Sequence, residues 1–432
     1  MTRLLVLGAA VSGLAAARLG RRLGMPVTLY DSTNPRGAME DGFAVATGEW
    51  DSNLLQGVDL VIASPGFSER SLPVVETLES GLPIWSEIEF AFRHVNSPVV
   101  AITGTNGKTS VTEATAAMLE ASGLSAPPTG NIGAPLSDYS EETYDALVVE
   151  VSSLQLRFTE AFHPVAAAIT NVAVDHLDWH GSVESYRSAK ARIYANQTDA
   201  DLLVYDADDA GATELALQAK SFLYPISSTQ VPPGGGGVEQ GEVLTVGDVA
   251  IEIGDLTSMD PSHVANIACA AALSEWVGGT PEGITRGAMS YSPGAHRRSE
   301  VANSRGVRWI DDSKATNPHA ALASIRSHGD VILIAGGQTK GIDITPIAAE
   351  PNVRLLIGIG EAGDSLVMAA GDRGRLAGTL DVAVEMAALA ARDGDTVLLA
   401  PGCASFDQFD SYADRGDRFA ELVRLRLGGA GQ

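Results

Sequence analysis

The chain has 432 residues, enough for two to four domains that each bury a hydrophobic core. Its 54 acidic residues outnumber the 29 basic ones, and the net charge of −25 argues against nucleic acid as a partner, because a phosphate backbone attracts basic surfaces. Two cysteines are too few for a disulfide framework, and no apolar stretch of about 18 residues is free of helix breakers. We therefore expect a cytoplasmic protein without membrane insertion.

Residues 1 to about 94 have the pattern of a small α/β domain. The predicted elements are the strands Leu4–Leu7, Val27–Tyr30 and Leu60–Ala63 and the helix Leu14–Leu23. The turn Gly8–Gly13 resembles a dinucleotide fingerprint, but Ala10 stands where the middle glycine belongs, which restricts how closely a pyrophosphate can approach. A structural turn and a nucleotide-diphosphate site therefore both remain open.

A phosphate-binding loop is the strongest single motif and lies in the second predicted domain, residues 95–292. A β-branched run from Val99 enters the turn Gly104-Thr105-Asn106-Gly107-Lys108-Thr109-Ser110, and the helical pattern Thr112–Leu119 follows. Backbone N–H groups at such a helix N-terminus bind phosphate, the lysine adds positive charge, and the threonine hydroxyl is the usual ligand of the nucleotide's Mg²⁺. Ile102 stands where the Walker A pattern has its first glycine, so the loop is a shortened version.

Polar residues follow two further predicted strands of this domain. Glu150 lies at the end of the strand Ala146–Val151, while Asn171 and the run Asp175-His176-Leu177-Asp178 follow the next strand, Ala166–Val172. A carboxylate at a buried strand end is costly unless it is paired or bound to a metal, so we expect Glu150 to bind Mg²⁺. His176, flanked by aspartates, is a candidate ligand for a second divalent ion.

The rest of the second domain is predicted to contain helices, strands and one flexible loop. Lys190 lies on the helical pattern Tyr186–Gln197, where a solvated side chain is the commoner outcome. Further predicted elements are the strand Leu202–Tyr205, a helix near 210–220, paired strands near 243–253 and the helix Ser262–Val277. The run Pro232–Gly237 is expected to be a flexible surface loop.

Residues 293–432 have the pattern of a third α/β domain. The predicted strands are Arg308–Ile310, Val331–Ala335, Leu355–Ile359 and Val397–Ala400, and the last helix is Tyr412–Leu427. Two turns carry a lysine, Asp311-Asp312-Ser313-Lys314-Ala315-Thr316-Asn317-Pro318 and Ala335-Gly336-Gly337-Gln338-Thr339-Lys340-Gly341. Because only five lysines occur in the chain, lysines within such turns indicate anion or nucleotide sites.

Taken in order, these motifs resemble the motif set of the Mur ligases. The matching segments are Gly104-Thr-Asn-Gly-Lys108-Thr109, Gly130-Asn131-Ile132-Gly133, Glu150-Val-Ser152-Ser153-Leu-Gln155, Asn171-Val-x-x-Asp175-His176-Leu-Asp178, Tyr186-x-x-x-Lys190-x-x-Ile193-Tyr194, Asp312-Ser313-Lys314-Ala-Thr316-Asn317 and Ala404-Ser405-Phe-Asp407-Gln408-Phe409. They span nearly the whole chain and best match the family member that adds D-glutamate.

The resemblance implies an α/β fold of three domains. These are a Rossmann-like UDP-binding domain at 1–94, a central P-loop ATPase-type domain with a mostly parallel sheet at 95–292, and a C-terminal Rossmann-like amino-acid-binding domain at 293–432. It also implies a monomeric ATP-dependent ligase of peptidoglycan precursor synthesis that adds D-glutamate to UDP-N-acetylmuramoyl-L-alanine through an acyl phosphate. The implied cofactors are ATP, two Mg²⁺ ions with Mn²⁺ as an alternative, and a CO₂-derived carbamate on Lys190.

The resemblance further implies roles for individual residues. The implied ATP-binding residues are Gly104, Thr105, Asn106, Gly107, Lys108, Thr109, Ser110, Asn266, Arg297, Asp312 and Lys314. The implied substrate-binding residues are Val11, Ser12, Asp31, Ser32, Gly66, Asn131, Ser152, Gln155, Thr316, Lys340, Ser405, Phe406 and Tyr412. The implied metal ligands are Thr109, Glu150, His176 and Lys190 as its carbamate, and the residues implied in catalysis are Lys108, Glu150, His176, Lys190 and Lys314.

Two departures from the family pattern leave roles open. Ser262-His263-Val-Ala-Asn266 stands where the family has His-Asn-x-x-Asn beside the adenine, so the role of His263 is undefined, and Arg298 follows Arg297. One alternative function is another Mur-type ligase that uses a different amino acid, L-glutamate or another, or a folylpolyglutamate-like substrate. A second alternative is a P-loop phosphotransferase. A nicotinamide oxidoreductase built on the first domain is a third alternative, which Ala10 disfavours.

Overall fold

The computed structural model describes residues 2–33 and 36–428 and contains three sheets with flanking helices, which confirms the predicted α/β class. The chain divides into two compact units. The first comprises the described residues of 1–172 and 179–292, and the second those of 173–178 and 293–432. The domain boundary expected near 94, and the one near 292, remain predictions. Among the described residues, none of the helices combines the length and apolarity that crossing a bilayer requires.

The first sheet is parallel and has the strand order β3-β2-β1-β4-β5. Its elements are β1 (Leu4–Leu7), α1 (Val11–Arg22), β2 (Val27–Asp31), α2 (Arg36–Glu40), β3 (Ala44–Thr47), β4 (Leu60–Ala63), α3 (Leu72–Glu79), β5 (Ile84–Ser86) and α4 (Glu87–Phe92). All residues of β1 and β4 are buried because both faces of the sheet are covered, which explains their unbroken apolar sequences. The predicted strands β1 and β4 are confirmed. Helix α1 begins at Val11, three residues before its predicted start at Leu14.

The second sheet has the order β14-β13-β12-β11-β10-β9-β6-β8-β7. Its strands are β6 (Val99–Thr103), β7 (Pro128–Gly130), β8 (Leu147–Glu150), β9 (Ala166–Ile169), β10 (Leu202–Asp206), β11 (Phe222–Ser227), β12 (Gly236–Glu239), β13 (Val243–Val246) and β14 (Val249–Glu252). The strands from β7 to β12 are parallel, while β13 and β14 pair antiparallel at the edge. Because β6 lies between β8 and β9, the loops that follow all three meet at one edge.

The helices of this region are α5 (Lys108–Ala121), α6 (Ser153–Leu156), α7 (Leu177–His180), α8 (Val183–Ala191), α9 (Ala210–Ala216), α10 (Pro261–Trp276) and α11 (Pro281–Ser290). Helix α10 is buried along most of its length, and α5, α10 and α11 share one hydrophobic core with the sheet. The small side chains of the alanine-rich α10 permit this close packing.

The prediction of a flexible surface loop at Pro232–Gly237 is wrong for the second half of that segment. Gly236 and Gly237 are buried in β12, which pairs in parallel with Ile226 and Ser227 of β11. Glycine lowers strand propensity, so the sequence pattern alone disfavours a strand here, but pairing on both sides overrides that preference.

The third sheet has the order β15-β16-β20-β17-β18-β19 and is parallel except for the β15–β16 hairpin. Its elements are β15 (Ser299–Ser304), β16 (Val307–Asp311), α12 (Pro318–Arg326), β17 (Val331–Gly336), α13 (Thr345–Ala349), β18 (Val353–Ile359), α14 (Gly363–Ala370), β19 (Gly374–Gly378), α15 (Leu380–Ala390), β20 (Thr396–Leu399) and α16 (Tyr412–Gly428). The four strands predicted here and the last helix are confirmed to within two residues at each end.

A buried carboxylate joins α4 to the segment that follows α6. Glu89 is fully buried, and its two oxygens accept hydrogen bonds from the backbone N–H groups of Glu160, Ala161 and Phe162 at 2.9–3.0 Å. The Arg93 Nε atom donates to the same carboxylate at 2.6 Å. Glu89 therefore has enough hydrogen bonds and charge compensation to offset its burial.

We expect Glu89→Ala to lower the free energy of unfolding by about 3 kcal/mol, because the backbone donors and Arg93 lose a buried acceptor. Urea unfolding followed by circular dichroism measures this change. Glu79→Ala, at an exposed position of α3, is the matched control and should shift the midpoint little. Equal midpoints for the two variants would contradict a stabilising role of Glu89.

Candidate active site

The phosphate loop connects β6 to the first turn of α5. A side chain cannot replace the hydrogen of Gly104, because a Cβ atom there would lie 1.8 Å from the Thr170 Oγ1 atom. The Thr105 backbone N–H donates to the carbonyl oxygen of Asn171 at 2.9 Å. The loop is therefore held tightly against the segment that follows β9, and its helix N-terminus provides backbone N–H groups for an anion.

Two lysine side chains converge on this loop. Lys108 Nζ donates to the carbonyl oxygens of Gly104 at 3.0 Å and Thr105 at 2.9 Å. Lys190 Nζ donates to the same Gly104 oxygen at 2.6 Å and lies 4.7 Å from the centre of the Tyr186 ring. Lys190 is only 1% exposed, so the solvated position suggested by the helix pattern alone is wrong. The reason is that its face of α8 packs on the loop.

The side chains that follow β9 hold the backbone of Asn106 from both sides. Asn171 accepts a hydrogen bond from the Asn106 N–H through Oδ1 at 2.9 Å and donates to the Asn106 carbonyl through Nδ2 at 3.1 Å. Thr170 Oγ1 donates to the same carbonyl at 2.6 Å. Asn171, predicted only to lie at a strand end, thus fixes the conformation of the phosphate loop.

Glu150, at the end of β8, has one satisfied and one unsatisfied carboxylate oxygen. Its side chain is 2% exposed, and Oε1 accepts a hydrogen bond from Asn131 Nδ2 at 2.8 Å. Oε2 is buried and has no hydrogen-bond partner in the described part of the chain. An unsatisfied buried carboxylate oxygen is suited to a cation. Within 2–33 and 36–428, no three His, Cys, Asp or Glu side chains form a ready-made metal cluster, so other donors must complete such a site.

Ser152 and Gln155, predicted to contact substrate, bind each other around the start of α6. The Ser152 hydroxyl accepts from the Gln155 N–H at 3.2 Å, and Gln155 Oε1 accepts from the Ser152 N–H at 3.0 Å. This capping box stabilises a helix of only four residues, directly after Glu150. His180, at the end of α7, places its Nε2 atom 2.9 Å from the Ser153 hydroxyl.

Helix α10 carries Asn266 to the phosphate loop and buries His263. The Asn266 Oδ1 atom lies 2.7 Å from the position that a Cβ atom of Gly107 would occupy. The His263 ring is 4% exposed and stacks on Tyr291 with an interplanar angle of 3°. Its burial lowers the pKa of the imidazole. His263 therefore packs α10 against Tyr291.

The turn Gly8–Gly13 after β1 is tightly packed, and the Asp31 side chain hydrogen-bonds to it. A Cβ atom on Gly13 would lie 1.9 Å from the Gly8 carbonyl oxygen, so α1 can start this close to β1 only with glycine there. Asp31 accepts from the Ala9 N–H at 2.9 Å and from Thr33. Burial acts to raise the pKa of Asp31, but these hydrogen bonds outweigh it and the pKa lies below its ordinary value.

The other predicted residues of this region surround that turn. Val11 begins α1 with 70% of its surface exposed, and Ser12 follows it. Ser32 follows Asp31, and Gly66 lies in the loop after β4. Because the strand order reverses between β1 and β4, this edge is where ligands of such sheets bind.

In the second unit, two carboxylates are buried at the end of β16. Asp311 Oδ2 lies 2.6 Å from His296 Nδ1. Asp312 is 7% exposed and accepts from the Arg298 N–H at 3.3 Å, with the Arg298 Nε atom 3.8 Å from its other oxygen. Burial raises the pKa of Asp312 to about 6 in spite of Arg298.

Arg415 connects two of the loops that carry predicted residues of this unit. It is 1% exposed and donates to the hydroxyl and carbonyl oxygens of Ser313, both at 2.9 Å, and to the Cys403 carbonyl at 3.2 and 3.3 Å. Burial lowers the pKa of its guanidinium to about 10. Lys314 follows Ser313, and its Nζ lies 3.9 Å from the centre of the Tyr412 ring. Ser405 is 2% exposed.

The segment of His176 belongs to the second unit. Asp175 lies 3.7 Å from Lys340 Nζ and 3.3 Å from Asn317 Nδ2. His176 and Lys340 both have positive φ, at 52° and 54°. Glu150 and Lys190, with which His176 is predicted to share metal ions, belong to the first unit. In the first unit, Lys190 and Asn266 therefore lie against the phosphate loop, while Asn131 and Glu150 bind each other at the end of β8. Lys314, Thr316, Lys340 and Ser405 belong to the second unit.

Several residues with defined contacts here were not among the predicted site residues. They are Thr170, Asn171, Asp175, Tyr186, His296, Arg298 and Arg415. Asn171, Asp175 and Tyr186 stand within the matched motifs, so the sequence could have identified them as site residues. Arg415 lies in a charged helix, where nothing in the sequence distinguishes a buried arginine from an exposed one.

Comparison with known proteins identifies two family models in this chain. The Mur ligase middle domain matches residues 102–230, and the Mur ligase, glutamate ligase domain, matches residues 296–403. The UDP-N-acetylmuramoylalanine–D-glutamate ligase of Frankia casuarinae is 39% identical over 451 residues, covering 98% of this chain and 94% of that protein. The enzyme of the same name from Acidobacterium capsulatum is 37% identical over 449 residues, covering 99% and 97%.

Solved structures show the same fold at low sequence identity. A pseudomurein peptide ligase type C from Methanothermus fervidus superimposes with a TM-score of 0.63 at 19% identity, covering 99% of this chain and 100% of that one. MurF ligase from Thermotoga maritima in complex with ADP superimposes with a TM-score of 0.63 at 17% identity, covering 94% and 96%.

We expect Arg415→Lys to lower the free energy of unfolding by about 2–4 kcal/mol, because one ammonium group cannot reach both loops and buried carbonyl oxygens lose their donors. Thermal unfolding measures the change. Arg424→Lys, at an exposed position of the same helix, is the control. Equal unfolding temperatures would show that Arg415 does not hold the loops together.

The raised pKa of Asp312 predicts a pH-dependent effect of Asp312→Asn. The ordinary carboxyl pKa is 3.8 and the folded value about 6, so ionised Asp312 costs stability as pH rises through this interval. The variant should be more stable than the wild type at pH 8 by on the order of 2 kcal/mol, and this gain should vanish below about pH 4. Unfolding at both pH values tests this. Lower stability of the variant at pH 8 would contradict it.

Proposed function

The chain belongs to the Mur ligase family, and we propose that it adds D-glutamate to UDP-N-acetylmuramoyl-L-alanine in an ATP-dependent step of peptidoglycan precursor synthesis. The names of relatives at 37–39% identity over nearly the full length support this substrate pair. The structural observation that carries the proposal is the pairing of Lys108 and Lys190 on one phosphate-loop carbonyl.

The phosphate loop is the proposed ATP site. The N-terminus of α5 offers N–H groups from Lys108, Thr109 and Ser110, and the Lys108 ammonium can exchange its carbonyl contacts for phosphoryl oxygens. Neutralising charge is the main requirement of phosphoryl transfer between two anions. Asn266, on α10 beside the loop, is proposed to contact the adenosine part, and Arg297, Asp312 and Lys314 of the second unit are proposed to contact the nucleotide as well.

The residues present fit a divalent cation. Glu150 has a buried, unsatisfied carboxylate oxygen, and the Thr109 hydroxyl lies on the first turn of α5. We assign one Mg²⁺ or Mn²⁺ ion to Thr109 and Glu150, and a second to His176 and to Lys190 as its carbamate. Such ions supply charge neutralisation on the phosphoryl oxygens. Lys190 is within reach of this role because it is buried against the loop.

The proposed reaction follows from the chemistry of the two substrates. A carboxylate does not react with an amine at neutral pH, so the L-alanyl carboxylate first attacks the γ-phosphate of ATP and releases ADP. The amine of D-glutamate then attacks the acyl phosphate carbonyl, the nitrogen loses a proton, and inorganic phosphate leaves. Lys108 and Lys314 are proposed to stabilise the negative charge of the transferring groups.

The two substrates are assigned to separate sheets. Val11, Ser12, Asp31, Ser32 and Gly66 are proposed to bind the UDP group around the tightly packed turn after β1. Asn131, Ser152 and Gln155, at the strand ends of the second sheet, are proposed to lie near the muramoyl part and its carboxylate. Because Ser152 and Gln155 already bind each other, their part in substrate binding is limited to the groups that the capping box leaves available.

D-glutamate is assigned to the second unit. The proposed pocket consists of Thr316, Lys340, Ser405, Phe406 and Tyr412, in which Lys340 and the hydroxyls face the carboxylates. Ser405 is buried while Phe406 is 69% exposed, so Phe406 is proposed to form the outer wall of this pocket. We further propose that the protein acts as a cytoplasmic monomer with domains at 1–94, 95–292 and 293–432.

The function is tested by product formation. Purified protein is incubated with UDP-N-acetylmuramoyl-L-alanine, ATP and Mg²⁺, with D-glutamate and L-glutamate in separate reactions, and the products are analysed by mass spectrometry. We expect the amide product, ADP and phosphate in equal amounts with D-glutamate alone. Product only with L-glutamate or another amino acid would assign a different Mur-type ligase, and ATP hydrolysis without amide would overturn the ligase assignment.

We expect Lys190→Ala to abolish ligation and acetate to restore part of it, because the missing group is an anionic ligand and not a cation. Initial rates with and without added acetate measure the rescue. Lys220→Ala is the control, since this lysine is exposed and stands in none of the motifs. Full activity of Lys190→Ala, or rescue by an amine but not by acetate, would contradict the assignment.

A further inference from the structure

Asp209 is an acidic residue outside the matched motifs that contacts the segment after β9. It precedes α9 and is the N-cap of that helix, with its Oδ1 atom accepting a hydrogen bond from the Ala212 N–H at 2.7 Å. The same Oδ1 atom accepts from the Val172 N–H at 3.1 Å. One carboxylate oxygen therefore joins the start of α9 to the backbone that follows β9.

Gly211 permits this contact. A Cβ atom at Gly211 would lie 2.5 Å from the Val172 carbonyl oxygen and 3.0 Å from the Val172 Cβ atom. Glycine lowers the stability of a helix relative to alanine, so its presence in the first turn of α9 has a local cost. In return, the first turn of α9 lies directly against the Val172 backbone, at its carbonyl group as well as at its N–H group.

Val172 stands next to the residue that holds the phosphate loop. The Asn171 side chain binds both the N–H and the carbonyl group of Asn106, through Oδ1 and Nδ2. Val172 is also the last residue of the first unit before residues 173–178, which belong to the second. Asp209 therefore holds the backbone at the point where the chain leaves the first unit, one residue beyond Asn171.

The backbone of Asn171 contacts the phosphate loop as well. The Thr105 N–H donates to the Asn171 carbonyl oxygen at 2.9 Å, and a Cβ atom on Gly104 would lie 3.2 Å from the Asn171 nitrogen. A loop that binds phosphate through backbone N–H groups gains affinity when its conformation is fixed beforehand, because less ordering is then required on binding. The support that Asn171 receives therefore bears on nucleotide affinity.

We propose that Asp209 is a positioning residue for ATP. By holding Val172, it keeps Asn171 in the orientation that fixes the phosphate loop, and it acts through these residues without contacting the nucleotide itself. This inference rests on the proposed function, in which that loop is the ATP site. It assigns a role in nucleotide binding to a helix cap that none of the matched motifs contains.

The test separates the two hydrogen bonds of Asp209 in the full-length protein. A serine hydroxyl caps a helix but is one bond shorter than a carboxylate, so Asp209→Ser should keep the bond to Ala212 and lose the one to Val172. We expect its affinity for a non-hydrolysable ATP analogue with Mg²⁺, measured by calorimetry, to fall about fivefold or more, the size of one hydrogen bond. Binding of UDP-N-acetylmuramoyl-L-alanine should change by less than about twofold, because its site is remote from Asp209. Asp209→Asn keeps an oxygen acceptor on a side chain of the same length and should bind the analogue almost as well as the wild type.

Thr280→Ala is the matched control, because it removes a helix cap, that of α11, elsewhere in the same unit. It should lose stability in thermal unfolding without losing affinity for the analogue. Gly211→Ala is a second test that leaves Asp209 unchanged. Alanine favours the helix, but its methyl group collides with Val172, so analogue affinity should fall in this variant too.

Thermal unfolding establishes that each variant is folded, and Gly211→Ala takes the place of Asp209→Ser if the latter does not fold. Unchanged analogue affinity in Asp209→Ser would overturn the proposal. An equal loss of affinity in Thr280→Ala would overturn it as well, because it indicates a general effect of lower stability. Absence of analogue binding by the wild type would instead refute the proposed ATP site.

Discussion

The carbonyl oxygen of Gly104 accepts hydrogen bonds from two lysine side chains, and the candidate site of the first unit is arranged around that contact. Lys108 comes from the helix that the loop starts and Lys190 from α8, which is far away in sequence. The contact requires that Gly104 has no side chain, because Thr170 occupies the space. One steric constraint therefore sets the conformation of the loop and the position of both ammonium groups.

In the second unit, left-handed backbone conformations occur at residues that line the candidate site. His176, His296, Arg298 and Lys340 all have φ between 50° and 64°. Conformations of this kind are costly for residues with a side chain and cluster at functional sites. In the same unit, the single buried guanidinium of Arg415 joins the loops of Ser313 and Cys403.

The fold class and most central strands could be predicted from the sequence, because strands covered on both faces have uninterrupted apolar runs such as Leu4–Leu7 and Leu60–Ala63. The strand at Gly236 could not, since pairing with its neighbours decides its conformation. Motif positions identified the polar residues at the strand ends. The burial of Lys190 and Arg415 depends on contacts between distant segments, which local patterns do not record.

The most direct test of the central claim is the affinity of an ATP analogue for Gly104→Ala, measured by calorimetry in the presence of Mg²⁺. A methyl group at this position collides with Thr170 and displaces the carbonyl to which both lysines bind. The account predicts a loss of nucleotide affinity of about a hundredfold or more, while binding of UDP-N-acetylmuramoyl-L-alanine is retained. Nucleotide binding with unchanged affinity would contradict the claim that this loop is the ATP site.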